Sequence, residues 1–318
     1  MPPAASLTRA ASPARQNRQA GANGLQMHYF EQGEGPPLVM LHGFPDHAGT
    51  WRPLADRLAV NFRVIAPDLR GYGQTTRPQA LADYRLDLLV GDVLGFLDAL
   101  GLPLVHLCGH DWGGVLAFAF AAKYPDRLAS LVAINAPPAD VLQDMIWHDP
   151  AQRAASQYLS RLRSPDADAI YAESNVETLI ERFLGEPLRR GVLDETDIAA
   201  YRRGWTAPGV WQAMLAWYRA APFDVPAVGA PIPANANATI APGAISTPVL
   251  VIWGDLDTVF VPAMADAIAQ ACDDCRVEHL AAAGHVPHRD EPERCAALIR
   301  NFLSFPPILP VQKDASHD

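Results

Sequence analysis

The stretch LCGHDWGGVLAFAFAAKYP, at residues 107–125, places one acidic residue among glycines directly before an alanine-rich apolar segment. The residues LPLVHLCG that lead into it form an apolar run, which predicts a buried strand, and GVLAFAFAAKY predicts a helix. Asp111 therefore lies at the apex of a tight turn, where Gly109, Gly113 and Gly114 leave space around it. A strained turn of this kind raises one side chain above a sheet, at the N-terminus of a helix.

Strand and helix patterns alternate on both sides of this turn. The apolar runs PLVMLHG, FRVIAPD and LVHLCGHD alternate with helical patterns at HAGTWRPLADRLA and RLDLLVGDVLGFLDALG, and LASLVAINAP adds a further strand. Strands that are apolar throughout are typical of a parallel sheet covered by helices on both faces. The sequence therefore predicts an α/β fold.

The strand pattern stops in the middle of the chain and resumes near its end. Residues 137–241 contain helical stretches rich in Trp, Tyr and Arg, and strands return at TPVLVIWGD and CRVEHLAAAGH. The returning strands have no full sheet of their own, so we predict one α/β domain with an inserted helical cap. The predicted division is a disordered leader at 1–23, a first core part at 24–136, the cap at 137–241, a second core part at 242–310 and a tail at 311–318.

Composition limits the partners and the compartment. A net charge of −10 and a pI of about 5.4 provide no basic footprint for nucleic acid or an anionic membrane. Four cysteines are too few for a disulfide scaffold, and the Cys272/Cys275 pair lacks the further ligands of a zinc site. The chain has neither a membrane-length apolar run nor a secretory signal. We predict a cytoplasmic protein with no metal, cofactor, nucleic-acid or membrane partner, and a homo-oligomer remains open.

Functional side chains of an open parallel sheet lie just beyond the carboxyl ends of its strands. Four predicted strand ends carry polar or special residues: HGFP at 42–45, Asp111 with Trp112, Asp255 with Asp257, and Gly284 with His285. The last three groups follow one another in the order nucleophile, acid, histidine. We therefore expect a catalytic triad at this edge of the sheet.

With these residues in view, the chain resembles the α/β-hydrolase family, specifically its epoxide hydrolase branch, with haloalkane and haloacid dehalogenases as near relatives. The resemblance covers residues 25–305, and the motifs HGFP, GHDWGG, GDLD and AGHVPH are jointly specific. It implies a mostly parallel eight-stranded sheet flanked by helices. It also implies that the backbone N–H groups of Phe44 and Trp112 form an oxyanion hole and that both residues contact the substrate.

An aspartate at the apex, where serine is the usual nucleophile, indicates displacement at carbon. A carboxylate that attacks an sp³ carbon forms an alkyl ester, which must then be hydrolysed at the enzyme's own carbonyl. His285, oriented by a carboxylate, would deprotonate the water for that hydrolysis. The simpler alternative is that Asp111 only caps the helix, because aspartate is a good N-cap.

The acid of the triad has two candidates. The resemblance places it at the fourth position of GDLD, which is Asp257, whereas Asp255 fits a solvated turn, although both could lie near His285. Asp46, which follows HGFP, could line a pocket or begin the next helix, and its capping ability favours the helix. His288 fits a loop surface better than catalysis.

The groups that stabilise the leaving atom distinguish an enzyme that acts on epoxides from one that releases a halide. In families that this chain resembles, two cap tyrosines donate to the epoxide oxygen, and Tyr218 in AWYRAA matches one of them. Tyr158 matches the second by its spacing from Pro165, and Tyr171 is the alternative, with ordinary cap packing as the simpler reading. Haloalkane dehalogenases usually carry Asn where this chain has Phe44 after HG.

These observations predict a cofactor-free epoxide hydrolase that opens an apolar epoxide to a vicinal diol. The alternative enzyme is a hydrolytic dehalogenase, for haloalkanes or haloacids, that uses the same aspartate. The alternative outside catalysis is a silent α/β-hydrolase that senses a ligand. A silent protein would be expected to lack a triad member, and all three are present.

Overall fold

The computed structural model describes residues 13–232, 234, 236 and 245–304. Its centre is one eight-stranded sheet with the order β1-β2-β4-β3-β5-β6-β7-β8. The strands are β1 (Gln16–Ala22), β2 (Leu25–Gln32), β3 (Pro37–Leu41), β4 (Arg63–Pro67), β5 (Val105–His110), β6 (Leu128–Ile134), β7 (Val249–Gly254) and β8 (Cys275–Leu280). Every apolar run that predicts a strand corresponds to one of them.

The sheet is parallel from β4 across to β8, and only β1 and β2 run antiparallel to their neighbours. Its central strands are buried on both faces, as their continuous apolar sequences predict. In β3, for example, Val39 and Leu41 enter the core on one face, whereas Leu38 and Met40 enter the core on the other. The predicted mostly parallel α/β sheet is confirmed.

Helices cover both faces of the sheet. They are α1 (Arg52–Leu58), α2 (Leu86–Ala99), α3 (Trp112–Lys123), α4 (Ala139–His148), α5 (Pro150–Ala155), α6 (Gln157–Arg163), α7 (Ala167–Glu173), α8 (Val176–Arg189), α9 (Glu195–Trp205), α10 (Val210–Ala220), α11 (Ala263–Ala271), α12 (Pro287–Asp290) and α13 (Pro292–Leu303). Short 3₁₀ helices lie at Ala48–Trp51, Leu81–Tyr84 and Pro125–Arg127. Within the described residues, no helix combines the length and apolar character needed to cross a membrane.

The helices α4 to α10 all lie between β6 and β7, adjacent strands of the sheet. They form a helical insertion at the carboxyl edge of the parallel strands, and we call this insertion the cap. Most of the connector that follows, at residues 237–244, and the predicted tail at 311–318 lie outside the described residues.

The predicted disordered leader is wrong for its second half. Residues Gln16–Ala22 form β1, which pairs with β2 along its whole length, and residues 1–12 lie outside the described part of the chain. The sequence pattern does not predict this strand, because it is an exposed edge strand with almost no apolar residues. Backbone pairing and the 2.5 Å contact of Arg18 with Glu31 stabilise it instead of burial.

Candidate active site

Asp111 lies in the sharp turn between β5 and α3. Its backbone has φ 51° and ψ −124°, a strained conformation for a non-glycine residue. A side chain on Gly113 would lie 2.1 Å from the carbonyl oxygen of Leu41, and one on Gly114 would lie 2.1 Å from the Cβ of Ala136. The glycines that surround Asp111 in the sequence therefore let the turn pack directly against neighbouring strand ends.

His285 and Asp257 come to Asp111 from the ends of β8 and β7. The Nδ1 of His285 lies 2.8 Å from Oδ2 of Asp257, and its Nε2 lies 3.7 Å from Oδ2 of Asp111. The Asp257 side chain is fully buried, and its other oxygen accepts the backbone N–H of Val259 at 2.6 Å and of Phe260 at 3.2 Å. The imidazole is thus held between two carboxylates.

Asn135 is a further part of this site that the sequence analysis missed. It follows β6 with φ 40°, is fully buried, and donates from Nδ2 to Oδ2 of Asp257 at 2.6 Å. Its Oδ1 accepts the backbone N–H of Gly254 at 2.8 Å. A polar residue directly after an apolar strand is the signal that could have identified it, because functional groups collect at these strand ends.

Asp255 lies apart from the triad. Its Oδ1 is 2.6 Å from Nδ1 of His279, and both side chains are partly exposed at the surface. Of the two candidates for the acid of the triad, Asp257 contacts His285. The geometry therefore favours Asp257.

Charge–charge contacts set the protonation of the triad. Burial lowers the pKa of the His285 imidazole, but Asp257 and Asp111 outweigh burial and raise it to about 10. Burial raises the pKa values of both carboxyl groups, whereas their contacts with His285 outweigh it and hold both below the ordinary range. The resting site is therefore an ionised Asp111 beside a protonated imidazole.

The loop after β3 lies against the Asp111 side chain. The backbone N–H of Phe44 donates to Oδ1 of Asp111 at 2.7 Å, and a side chain on Gly43 would collide with the Asp111 carboxylate. Trp112 begins α3, in which the first N–H donors to a helical carbonyl are those of Gly114 and Val115. The Trp112 N–H, at the N-terminus of the helix, is therefore free of the helical hydrogen bonds.

Two of the tyrosines predicted from the cap face Asp111. Tyr158 is on α6 and Tyr218 on α10, their rings are 6.2 Å apart, and both line the cavity that contains Asp111 and His285. Burial raises the pKa of both phenols well above its ordinary value, and the Asp111 carboxylate adds to the effect. Both therefore stay protonated and able to donate.

Tyr171, the alternative to Tyr158, lies elsewhere in the same cavity. Its ring stacks on Trp211 at 5.1 Å, and burial raises the pKa of its phenol while Arg182 and Arg161 oppose this. Tyr158, in contrast, lies with its ring 6.2 Å from that of Tyr218. The geometry thus favours Tyr158 as the partner of Tyr218.

A guanidinium links the two tyrosine-bearing helices. Arg163, on α6 with Tyr158, donates to the carbonyl oxygen of Tyr218 at 2.8 Å, of Phe223 at 2.6 Å and of Ala221 at 2.9 Å. These carbonyls lie at and beyond the C-terminal end of α10, where no intrahelical donors remain. Arg163 therefore fixes the end of α10 relative to α6.

The cavity between core and cap has a volume of about 580 Å³. Phe44 lines it, and the Phe44 ring packs edge-on against Tyr218 at 4.9 Å. The Trp112 ring lies behind Tyr218, 5.2 Å away, and is not among the described residues that line the cavity. The predicted substrate contact of Trp112 stays a prediction.

Two further predictions, for His288 and Asp46, have clear outcomes. His288 is fully buried, not at a loop surface, and packs against Trp51 with ring centroids 4.4 Å apart. The side chain that caps the 3₁₀ helix at Ala48–Trp51 is His47, which accepts the N–H of Gly49. Asp46 instead lines the cavity and accepts the Tyr201 hydroxyl at 2.7 Å.

The cysteines and acidic residues form no metal centre in the part of the chain that the structure describes. Cys108, Cys272, Cys275 and Cys295 are all free thiols. No group of three or more His, Cys, Asp or Glu side chains in these residues could hold a metal ion.

Comparisons with known proteins agree with this geometry. The family model described as alpha/beta hydrolase fold matches residues 36–292. Epoxide hydrolase 2 of Caenorhabditis elegans is 30% identical, over 92% of this chain and 82% of that protein, and human epoxide hydrolase 4 is 31% identical, over 88% and 76%. The crystal structure of Bacillus megaterium epoxide hydrolase with an inhibitor is 27% identical and superposes with a TM-score of 0.81, covering 91% of this chain and all of that one.

The fold and the strand-end triad define a hydrolase of the α/β class. The chain belongs to the α/β-hydrolase superfamily and, within it, to the epoxide hydrolase branch. The predicted family is confirmed.

Proposed function

We propose that this enzyme opens an apolar epoxide to a vicinal diol through an ester on Asp111. The observation that carries the proposal is that a nucleophilic carboxylate and two protonated tyrosines, Tyr158 and Tyr218, line one cavity. A carboxylate can attack an epoxide carbon while the phenols donate to the oxygen that leaves it. The names of the relatives, several of which are epoxide hydrolases, support the same reaction.

In the first step, Oδ2 of Asp111 attacks one epoxide carbon, and the carbon–oxygen bond of the ring breaks. The electron pair stays on the epoxide oxygen, which accepts hydrogen bonds from Tyr158 and Tyr218 and takes the proton of one phenol; water then returns a proton to that tyrosinate. Oδ1 of Asp111 is held by the Phe44 N–H, which leaves Oδ2, nearer the imidazole, to react. The product is a hydroxyalkyl ester of Asp111.

In the second step, His285 removes a proton from water, and the hydroxide attacks the carbonyl carbon of the ester. The negative charge that develops on the carbonyl oxygen is stabilised by the N–H groups of Phe44 and Trp112. Asp257, itself held by Asn135, keeps the imidazole in place and stabilises its positive charge. Collapse of the intermediate breaks the bond to the alkyl oxygen, which takes back the proton held by His285 and leaves as the diol. The Asp111 carboxyl group then passes its proton to His285, which restores the resting pair.

We expect the two steps to differ in their dependence on pH. Ester formation neutralises Asp111, one of the two carboxylates that raise the pKa of His285 to about 10, so this pKa falls when the ester forms. The hydrolysis rate should therefore rise with pH through an apparent pKa below 10. Alkylation needs only ionised Asp111 and should be constant from about pH 6 to 9.

Single-turnover kinetics at a series of pH values measure both phases separately. A hydrolysis rate that does not change with pH, or an alkylation rate that follows the same titration as hydrolysis, would contradict the assignment of His285 as the base.

The two tyrosines should share the stabilisation of the epoxide oxygen. Each single change, Tyr158→Phe or Tyr218→Phe, leaves one donor, and removal of one preorganised donor typically costs about 10²-fold in rate, part of which the partner can cover. The double variant should fall well below either single variant in alkylation, but not in ester hydrolysis. Pre-steady-state alkylation rates measure the effect.

Tyr171→Phe distinguishes the two candidates for the second donor. If Tyr158→Phe alkylates as fast as the wild type and Tyr171→Phe does not, Tyr171 is the second donor to the epoxide oxygen. Full activity of the Tyr158→Phe/Tyr218→Phe double variant would show that the cap contributes no donor.

Two parallel incubations separate the proposed reaction from its alternatives. The purified protein is given styrene oxide and, separately, 1-bromobutane, and diol and bromide are measured. Diol alone is the expected result. Bromide release would indicate a hydrolytic dehalogenase, and the absence of both products would favour a silent α/β-hydrolase.

The cytoplasmic location and the lack of nucleic-acid or membrane partners stay part of the proposal. The net charge of −10, which provides no basic footprint, supports the lack of nucleic-acid and anionic-membrane partners. A small apolar epoxide is the proposed partner, and no cofactor takes part in the proposed steps.

A further inference from the structure

The backbone on both sides of the His285 imidazole is held by buried groups. The N–H of Gly284 donates to Oδ2 of Asp290 at 2.8 Å, and the carbonyl oxygen of His285 accepts from Nε2 of His110 at 2.7 Å. Asp290 is the last residue of α12, so its contact with Gly284 closes the loop that carries the base. The position of the imidazole therefore depends on a side chain further along the chain.

The Asp290 carboxyl group is buried in the wall of the active-site cavity. Its side chain is 1% exposed, and its Oδ1 lies 3.3 Å from the guanidinium of Arg190, at the C-terminal end of the cap helix α8. A side chain on Gly284 would lie 3.6 Å from Oδ2 of Asp290 and 3.9 Å from Nη1 of Arg190. The cap arginine therefore reaches the backbone beside the base.

These two contacts offset the cost of burying the Asp290 carboxylate. Burial raises the pKa of Asp290 above its ordinary value, although the Gly284 N–H and Arg190 oppose this. A carboxylate removed from water costs free energy unless hydrogen bonds and an opposite charge replace the solvent. The contacts with Gly284 and Arg190 are thus the ones that keep this group in place.

Arg289, next to Asp290, makes a second link to the cap. Its guanidinium donates to Asp197 on α9 and to the carbonyl oxygen of Thr50, and both charged side chains are buried. α12 thus contributes one acid and one base to ion pairs with α9 and with the end of α8. The segment after His285 is therefore fixed relative to the cap as well as to the core.

The two steps of the proposed reaction depend differently on this segment. Ester hydrolysis needs the imidazole within about 3 Å of the attacking water, and a displacement of about 1 Å costs on the order of 10²-fold in rate. Alkylation uses the Asp111 carboxylate and the two tyrosines, and no proton passes to His285. A loss of restraint on the backbone beside His285 should therefore slow the second step and spare the first.

We propose that Asp290 is a positioning residue for the base, which holds the backbone at Gly284 and, through Arg190, links it to the cap. The inference rests on the proposed two-step hydrolysis and assigns a residue that acts on its second step through His285. Asp257 orients the imidazole from its Nδ1 side, whereas Asp290 fixes the backbone from which the imidazole projects.

Single-turnover kinetics with styrene oxide give the rate constants of alkylation and ester hydrolysis for each variant. Asp290→Ala removes both contacts of the carboxylate, so its hydrolysis rate constant should fall by about 10- to 10²-fold. Its alkylation rate constant should stay near that of the wild type, and intact mass spectrometry should show the ester accumulating. Rate constants do not depend on the fraction of folded enzyme, so a destabilised variant still gives a decisive result.

Asp290→Asn and Arg190→Gln separate the two contacts. The amide oxygen of Asn can still accept the Gly284 N–H, so Asp290→Asn should recover most of the hydrolysis rate that Asp290→Ala loses. Arg190→Gln removes only the link to the cap and should slow hydrolysis by a few-fold, because the guanidinium is partly exposed.

Glu291→Gln and Arg189→Gln are the matched controls, since each removes a like charge from the next residue along the chain. Glu291 lies 3.8 Å from Arg294. Arg189 lies 2.6 Å from Glu181. Neither control residue is among the described residues that line the cavity. Both variants should alkylate and hydrolyse at the wild-type rates.

The outcomes separate this inference from the proposed function. The positioning role is overturned if Asp290→Ala hydrolyses the ester at the wild-type rate, or if alkylation slows by the same factor as hydrolysis. It is also overturned if Asp290→Asn is as slow as Asp290→Ala, or if Glu291→Gln slows hydrolysis equally. Each of these results leaves epoxide hydrolysis intact. If the wild type forms neither ester nor diol, the proposed function itself fails.

Discussion

The His285→Gln variant should react once with an epoxide and then stop. The alkylation step uses Asp111 and the two tyrosines, none of which is changed, so the ester should still form. Hydrolysis of the ester loses its base, which typically costs about 10²- to 10⁴-fold. Intact mass spectrometry should show the protein carrying the full mass of the epoxide, while diol release falls to a small fraction of the wild-type rate.

His279 provides the matched control for this experiment. His279 also contacts an aspartate, Asp255, but lies at the surface away from Asp111. His279→Gln should turn over like the wild type and show no adduct. A His285→Gln enzyme that shows neither adduct nor turnover with a reactive epoxide would indicate that the histidine assignment or the two-step mechanism is wrong.

The Asp111→Asn variant should lose alkylation altogether. An amide is a poor nucleophile, and its oxygen can still accept the Phe44 N–H, so the fold of the turn is kept while the reaction is removed. Loss of a covalent nucleophile costs on the order of 10⁴-fold or more in turnover. Adding Asp111→Asn to His285→Gln should also abolish the adduct, which shows where the ester forms.

Asp255→Asn is the control for the carboxylate change. It removes one exposed acid from a neighbouring strand end and should leave both alkylation and hydrolysis near the wild-type rates. Substantial turnover in Asp111→Asn, in protein whose mass shows that residue 111 is still Asn, would mean that water attacks the epoxide directly.

The core of the fold follows from sequence because its signals are local. The strand that leads into Asp111 is mostly apolar, and the glycines beside Asp111 are required by contacts that the turn itself makes. Asp111, Asp257 and His285 could be predicted as a group since each follows a parallel strand, and such strand ends share one edge. The shared edge brings these residues together although they are far apart in the chain.

Features that depend on distant packing escaped prediction. Asn135 supports Asp257 across two neighbouring strands, and only the register of β6 against β7 brings them together. His288 is buried because α12 places it against Trp51, which the local sequence does not reveal. The edge strand at Gln16–Ala22 has no apolar pattern at all, so composition suggested disorder.

The cap shows the same division between local and distant information. Its helices could be predicted from the sequence, whereas the choice between Tyr158 and Tyr171 depended on how α6, α7 and α10 pack. Arg163 fixes α6 against the end of α10, so Tyr158 comes near Tyr218, while Tyr171 stacks on Trp211. A tyrosine-to-proline spacing alone carries no information about such contacts.

The central claim, that Asp111 forms a covalent ester, is tested most directly by a single turnover in H₂¹⁸O with enzyme in excess over epoxide. Water attacks the ester carbonyl, so one ¹⁸O atom should enter the Asp111 carboxylate, and the diol should carry the epoxide oxygen and an unlabelled oxygen from Asp111. Mass spectrometry of the peptide that contains Asp111, and of the diol, measures both. Label in the diol with an unlabelled Asp111 would contradict the account.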